Sequence, residues 1–222
     1  RGQDPAHAGN TCRPAFQVPS TRPSSPRPSK GEFCAFPGSL PASTFQTRSR
    51  SNSSRSAGAP FASAGKAYVF YGPGGDLSNT PAWTATGQTA NEQFGTSVAS
   101  AGDVNGDGYA DVIVGAPVYN NYQGKVYVFH GSASGVTGTT AAPAWSATGE
   151  TINSFFGVSV ASAGDVNGDG YADVAVGSAY FNSRQGKVYV FHGSPGGVIG
   201  AAIAPAWSAG GEAIGDNFGA AV

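Results

Sequence analysis

Acidic and amide side chains alternate with small or apolar residues in the stretch Asp103-Val104-Asn105-Gly106-Asp107-Gly108-Tyr109-Ala110-Asp111, and the same nine residues recur at 165–173. In each stretch oxygen-bearing side chains fall at positions 1, 3, 5 and 9, and position 7 can offer its backbone carbonyl. A hard cation such as Ca²⁺ takes roughly six to eight oxygens at about 2.3–2.6 Å, and a short loop with this spacing can wrap around one. The predicted ligands are Asp103, Asn105, Asp107, Asp111 and the carbonyl of Tyr109, then Asp165, Asn167, Asp169, Asp173 and the carbonyl of Tyr171, giving two calcium sites. Gly108 and Gly170 stand where such a loop must turn sharply. The bland alternative is a solvated turn without metal, but three carboxylates in nine residues repel one another unless a cation offsets them. Mg²⁺ suits the loops less well, because it prefers a rigid octahedral site and retains waters.

The loops are not EF-hands. Position 12 is Val114 in one and Val176 in the other, where an EF-hand places its bidentate Glu, and a strand pattern follows instead of a helix.

The elements that carry the loops repeat. A segment from Asn91 returns almost unchanged from Asn153, a period of 62 that also relates Trp83, Trp145 and Trp207, and Phe94, Phe156 and Phe218. An incomplete earlier copy runs from Gly58-Ala59-Pro60 to the KAYVFYG stretch at 66–72, so two complete units are flanked by two partial ones. Short runs of Val, Tyr, Phe and Ile punctuated by Gly, Asn, Asp and Pro predict four strands per unit, at 94–102, 111–116, 124–131 and 143–149. Along the third, Val126 and Val128 face one side and Tyr127 and Phe129 the other, so the sheet is expected to be covered on both faces. Four short antiparallel strands repeating at about 60 residues predict an all-β fold of stacked β-propeller blades.

The run FGTSVASAGDVNGDGYADVIVGAP followed by GKVYVFHG resembles the FG-GAP repeat of integrin α-subunit N-terminal propellers and of related bacterial surface proteins. Its FG pairs are Phe94-Gly95 and Phe156-Gly157, and its GAP is Gly115-Ala116-Pro117; the second copy reads Gly177-Ser178-Ala179 and keeps only the glycine. The resemblance covers 58–222 and implies a seven-bladed ring, of which these residues supply about 2.7 blades at 62 residues each. It also implies that the metal stiffens a hairpin and is not catalytic. An incomplete ring leaves blade faces uncovered, so the chain by itself is expected to be marginally stable or to aggregate.

Composition sets the remaining bounds. The chain holds 34 Gly and 15 Pro in 222 residues, which excludes long helical bundles. Its apolar runs are of strand length, so no membrane insertion is expected. The formal charge of −1 gives no general affinity for nucleic acid, and it conceals +6 over 1–57 and −7 over 58–222. Residues 1–57 are rich in Ser, Pro and Arg and are expected to be disordered. Extending the repeat back from Gly58 puts a loop at 46–54, where the chain reads QTRSRSNSS without an acid, so a reading-frame error or unrelated fusion is weighed against a natural linker. The lack of Met and the Arg at position 1 suggest a fragment.

Weaker signals have bland readings. Trp83, Trp145 and Trp207 could form a sugar platform but are expected to pack, and His130 and His192 read as turn residues. Cys12 and Cys34 could pair in an oxidising compartment, and Asn52 fits a glycosylation pattern. No nucleophile elbow, HExxH, phosphate cradle or CxxC occurs, so no enzyme is expected. The leading expectation is a calcium-stabilised module of a secreted or cell-surface protein, with an extracellular protein or glycan as ligand and further blades as neighbours. The alternative is the accessory propeller of a secreted hydrolase, lyase or phospholipase.

Overall fold

The computed structural model describes Gln46–Thr47, 63–71 and 80–222, all within one compact unit, Ala42–Val222. Three antiparallel sheets follow one another along the chain. The first contains β1 (Gln46–Thr47), β2 (Lys66–Phe70) and β3 (Trp83–Thr86). The second runs in order through β4 (Ser97–Gly102), β5 (Asp111–Ala116), β6 (Lys125–Phe129) and β7 (Trp145–Thr148). The third repeats it with β8 (Ser159–Gly164), β9 (Asp173–Ser178), β10 (Lys187–Phe191) and β11 (Trp207–Gly210). These are propeller blades, each a four-stranded meander in the two complete units, and the described residues do not close a ring.

Alternation places side chains on the two faces as expected. Val126, Val128 and Ile113 face the third blade and pack with Phe156, Tyr189 and Phe191. Tyr127, Phe129, Val112 and Val114 face the first blade and pack with Ala67, Val69 and Ala85. Two of the three tryptophans pack between blades, Trp83 against Phe129 at 4.8 Å and Trp145 against Phe191 at 5.1 Å, whereas Trp207 is largely exposed. The indole N–H groups of Trp83 and Trp145 donate to the carbonyls of Gly138 and Gly200.

Strand β4 begins at Ser97, three residues later than the pattern predicts, because Phe94-Gly95 forms the joint between blades. The Phe94 N–H donates to Ala64 O, and Gly95 takes a φ of +85°. The glycines of the motif allow the backbones to touch. A Cβ on Gly115 would overlap the carbonyl oxygen of Gly157 in the next blade, and one on Gly177 that of Gly219. Ser97 and Ser159 seal these contacts by donating to the Gly157 and Gly219 carbonyls at 2.7 and 2.9 Å. In the divergent second copy Ser178 is buried and donates to Ser154 O, so its hydroxyl is satisfied.

Two left-handed turns, Tyr119–Tyr122 and Phe181–Arg184, link β5 to β6 and β9 to β10. Beside them a series of rings crosses the second joint: Tyr122 stacks on Phe155 at 4.9 Å, Phe155 lies 4.4 Å from Tyr180, and the Arg184 guanidinium covers Tyr180 at 4.9 Å.

In the first blade Gln46 stands opposite Phe70, a place that corresponds to Val112 opposite Phe129. The loop expected at 46–54 therefore begins with a strand pair. The rest of that loop, the other residues of 1–57, Cys12, Cys34 and Asn52 lie outside the described residues. Among the described residues no helix is long and apolar enough to cross a membrane.

Candidate metal centre

Both nine-residue loops join the first two strands of a blade, β4 to β5 and β8 to β9. The leading Asp winds each one. Asp103 Oδ1 accepts from the N–H of Gly106 and Asp107 at 2.7 and 3.0 Å, and Oδ2 from Gly108 at 2.8 Å. Asp165 does the same for Gly168, Asp169 and Gly170 at 2.7, 3.0 and 2.8 Å. Gly106 and Gly108 adopt φ of +73° and +85°, which lets consecutive N–H groups turn toward one carboxylate.

The fifth and ninth positions differ in exposure. Asp107 is exposed, accepts the Tyr109 N–H at 2.9 Å, and takes the Asn105 side-chain amide at 2.9 Å. Asp169 mirrors it with Tyr171 and Asn167, whose N–H groups hold its carboxyl below the usual carboxylate range. Asp111 and Asp173 are wholly buried. Asp111 accepts from Val104 at 2.8 Å and from Gly131 at 2.7 Å, and Asp173 accepts from Val166 and Gly193. Burial pushes the Asp111 carboxyl up, and the two N–H bonds from Gly131 and Val104 pull it back.

The structure thus brings Asn105 onto Asp107 and places Asp107 near enough to Asp111 to raise it electrostatically. It does not gather the three carboxylates of a loop at one point. Among the described residues no cluster of three or more His, Cys, Asp or Glu side chains has metal-binding proximity. The donor chemistry nevertheless suits a hard cation. A carboxylate oxygen has about two acceptor sites, and each oxygen of Asp111 uses one for a single N–H. The charged groups bearing on this buried carboxyl are His130 and Asp107, not a lysine or arginine.

The loops are equal in bonding and unequal in setting. Blade three clamps the first loop: Ala172 donates to Asp103 O, Ser194 to Val104 O, and the Tyr171 ring fills the space beside Gly106. Val104 is consequently buried, whereas Val166 in the second loop is 57 % exposed.

Sequence reasoning missed two contributors. Gly131 and Gly193 each supply the second N–H to a ninth-position Asp, and the signal was their constant offset of 20 residues. His130 is not only a turn residue, since its Nδ1 lies 3.3 Å from Asn105 Nδ2 and its buried Nε2 has no hydrogen-bond partner.

The profile of the FG-GAP repeat family matches residues 94–129 and 156–191, the segments that contain these loops. Integrin alpha-3 of Cricetulus griseus is 39 % identical over 130 residues, covering 57 % of this chain and 12 % of that protein. Integrin alpha-PS2 of Drosophila melanogaster is 41 % identical over 122 residues, 51 % of this chain and 9 % of its own length. Integrin alpha-7 of Homo sapiens is 35 % identical over 168 residues, 73 % of this chain and 13 % of its length. The chain therefore spans only about a tenth of the length of the curated relatives it matches. With motif, period and blade topology in agreement, the chain is an integrin-like FG-GAP repeat protein.

Proposed function

We infer that 58–222 is part of a calcium-binding β-propeller at the cell exterior, and that it serves adhesion or ligand binding without catalysis. The observation that carries this reading is the duplicated loop. Each leading Asp holds the same three N–H groups, with distances that agree between the copies, and each ninth-position Asp is buried with no lysine or arginine ion pair among the described residues. A loop wound in this way has already met most of the conformational cost of enclosing an ion.

Calcium would be held by Asp103, Asn105, Asp107, Asp111 and the Tyr109 carbonyl, and by Asp165, Asn167, Asp169, Asp173 and the Tyr171 carbonyl. The ion would supply the positive charge that the loops lack. Asp103 and Asp165 keep the loop closed through their N–H bonds, and Asp111 and Asp173 anchor it to the following strands through Gly131 and Gly193. Extracellular modules hold calcium with dissociation constants of about 10⁻⁴ to 10⁻³ M, which supports a location where calcium is abundant. The integrin relatives support adhesion, with an extracellular protein or glycan as the ligand class.

The test is a calorimetric calcium titration of the 222-residue chain beside its Asp107→Ala/Asp169→Ala double variant. Both positions are exposed, so the variant keeps its core. The expected result is two unequal sites, the first loop binding more tightly because blade three clamps it, and loss of both in the variant. A folded wild type that takes up no calcium would overturn the reading.

A further inference from the structure

One residue past β2 and one residue past β6, a side chain reaches across a joint. After β2 it is Tyr71, whose hydroxyl accepts the Val136 N–H at 2.6 Å and leaves no room for a Cβ on Gly135. After β6 it is His130, and a Cβ on Gly197 of the third blade would come within 2.7 Å of its Nε2. Gly197 has a φ of +96°, and two bonds between Gly197 and Ser194 close its turn. The imidazole edge that carries Nε2 is therefore seated against blade three, with both partners among the described residues.

The opposite edge of the ring faces the first loop, where Nδ1 lies 3.3 Å from Asn105 Nδ2. The orientation of that amide is set within the loop. Its Oδ1 accepts the Asp107 N–H at 3.2 Å, and its Nδ2 donates at 2.9 Å to the Asp107 carboxylate, which when ionised can only accept. An Nδ1 that faces an NH₂ group must accept, so the imidazole is neutral and carries its proton on Nε2. With one N–H given to Asp107 and the other to His130, the Asn105 amide cannot turn over without losing both, and Oδ1 keeps one acceptor site for a cation. We propose, resting on the calcium reading above, that His130 is a positioning residue of the first calcium site. By accepting from Asn105 Nδ2 it holds Oδ1 toward the ion, and because blade three seats the ring, the joint between blades tunes the affinity of the loop.

The experiment pairs His130→Leu, which keeps an apolar group against Gly197 but offers no acceptor, with His130→Asn, whose Oδ1 can stand in for Nδ1. Both variants lose the ring, so any loss of packing is common to the two. Calcium is titrated by calorimetry into the 222-residue chain carrying Asp169→Ala, which leaves the first loop to fill, and into the chain carrying Asp107→Ala, which leaves the second. The expected result at the first loop is about tenfold weaker binding for His130→Leu and binding within about threefold of the parent for His130→Asn, with neither variant changing the second loop. A readout without metal accompanies the titration: NMR of the imidazole nitrogens in EDTA, at a pH where the ring is neutral, should show Nδ1 unprotonated and Nε2 protonated. A protonated Nδ1 would overturn the proposal, as would a first loop that His130→Leu does not weaken or that the two variants weaken equally. A parent chain that takes up no calcium would instead sink the calcium reading itself, and this role with it.

Discussion

A single methyl group on Gly115 is enough to force apart the second and third blades, because its Cβ would overlap the Gly157 carbonyl and both partners are backbone. Gly115→Ala is expected to cost about 3 kcal/mol or more, read as a shift in the urea midpoint. Gly170→Ala makes the contrast. Its φ is +91° with no atom within 4 Å of a new Cβ, so only the backbone penalty of about 1–2 kcal/mol applies. Measured in EDTA, the pair separates crowding from conformational strain. At this scale the sequence was informative where chemistry is local: the spacing of Asp103, Asn105, Asp107 and Asp111 named a loop that its own N–H bonds then wind. It was silent where the partner is remote, as for Gly157 on Gly115, since a close approach leaves no trace but a glycine.

Among the elements, β7 and β11 carry the same Trp-Ser-Ala opening but face different neighbours. Trp145→Ala removes a ring packed on Phe191 and a bond to Gly200 O, and should cost about 2–3 kcal/mol, less than a fully buried Trp because part of the indole is exposed. Trp207→Ala in dilute protein should cost less than about 0.5 kcal/mol. Equal losses would show that burial at the joint is not what separates them. Strands were readable because period-2 alternation marks both faces, as in Lys125–Phe129. The turns at Tyr119–Tyr122 and Phe181–Arg184 were not anticipated, although Asn120, Asn121 and Asn182 supplied the clue, Asn being more tolerant of positive φ than most residues. The first blade was read less well, because its shortened loops change the spacing on which alignment to the repeat depends, and the structure sets Gln46 where that alignment expected a loop.

For the molecule as a whole, the buried phenols at the two joints link stability to alkaline pH. Burial first, and then the negative charges of Glu92 and Glu150, push Tyr127 and Tyr189 well above the usual value of 10.0. A folded state that holds these protons more tightly than the unfolded chain is favoured in full below pH 10, and loses that advantage as the pH rises beyond it. Of the nine tyrosines, two should therefore stay protonated in an absorbance titration until the fold opens, while urea midpoints fall above pH 10. Early ionisation of all nine in folded protein would contradict this. Calcium should act in the opposite sense: at ten times its dissociation constant each filled site adds about 1.4 kcal/mol, seen as a rise in melting temperature over EDTA.

The ring series Tyr122, Phe155 and Tyr180 has a consequence for how nearly identical units find their places. Where the other units offer counterparts, they have Arg184 for Tyr122, Gln93 and Asn217 for Phe155, and Val118 for Tyr180. Of the two joints among the described residues, the series therefore exists at the second alone. Units this alike can dock in the wrong order or exchange between chains during folding, and three aromatic rings at this joint are contacts that the first joint does not offer, so they favour the second and third units as neighbours over other pairings of these units.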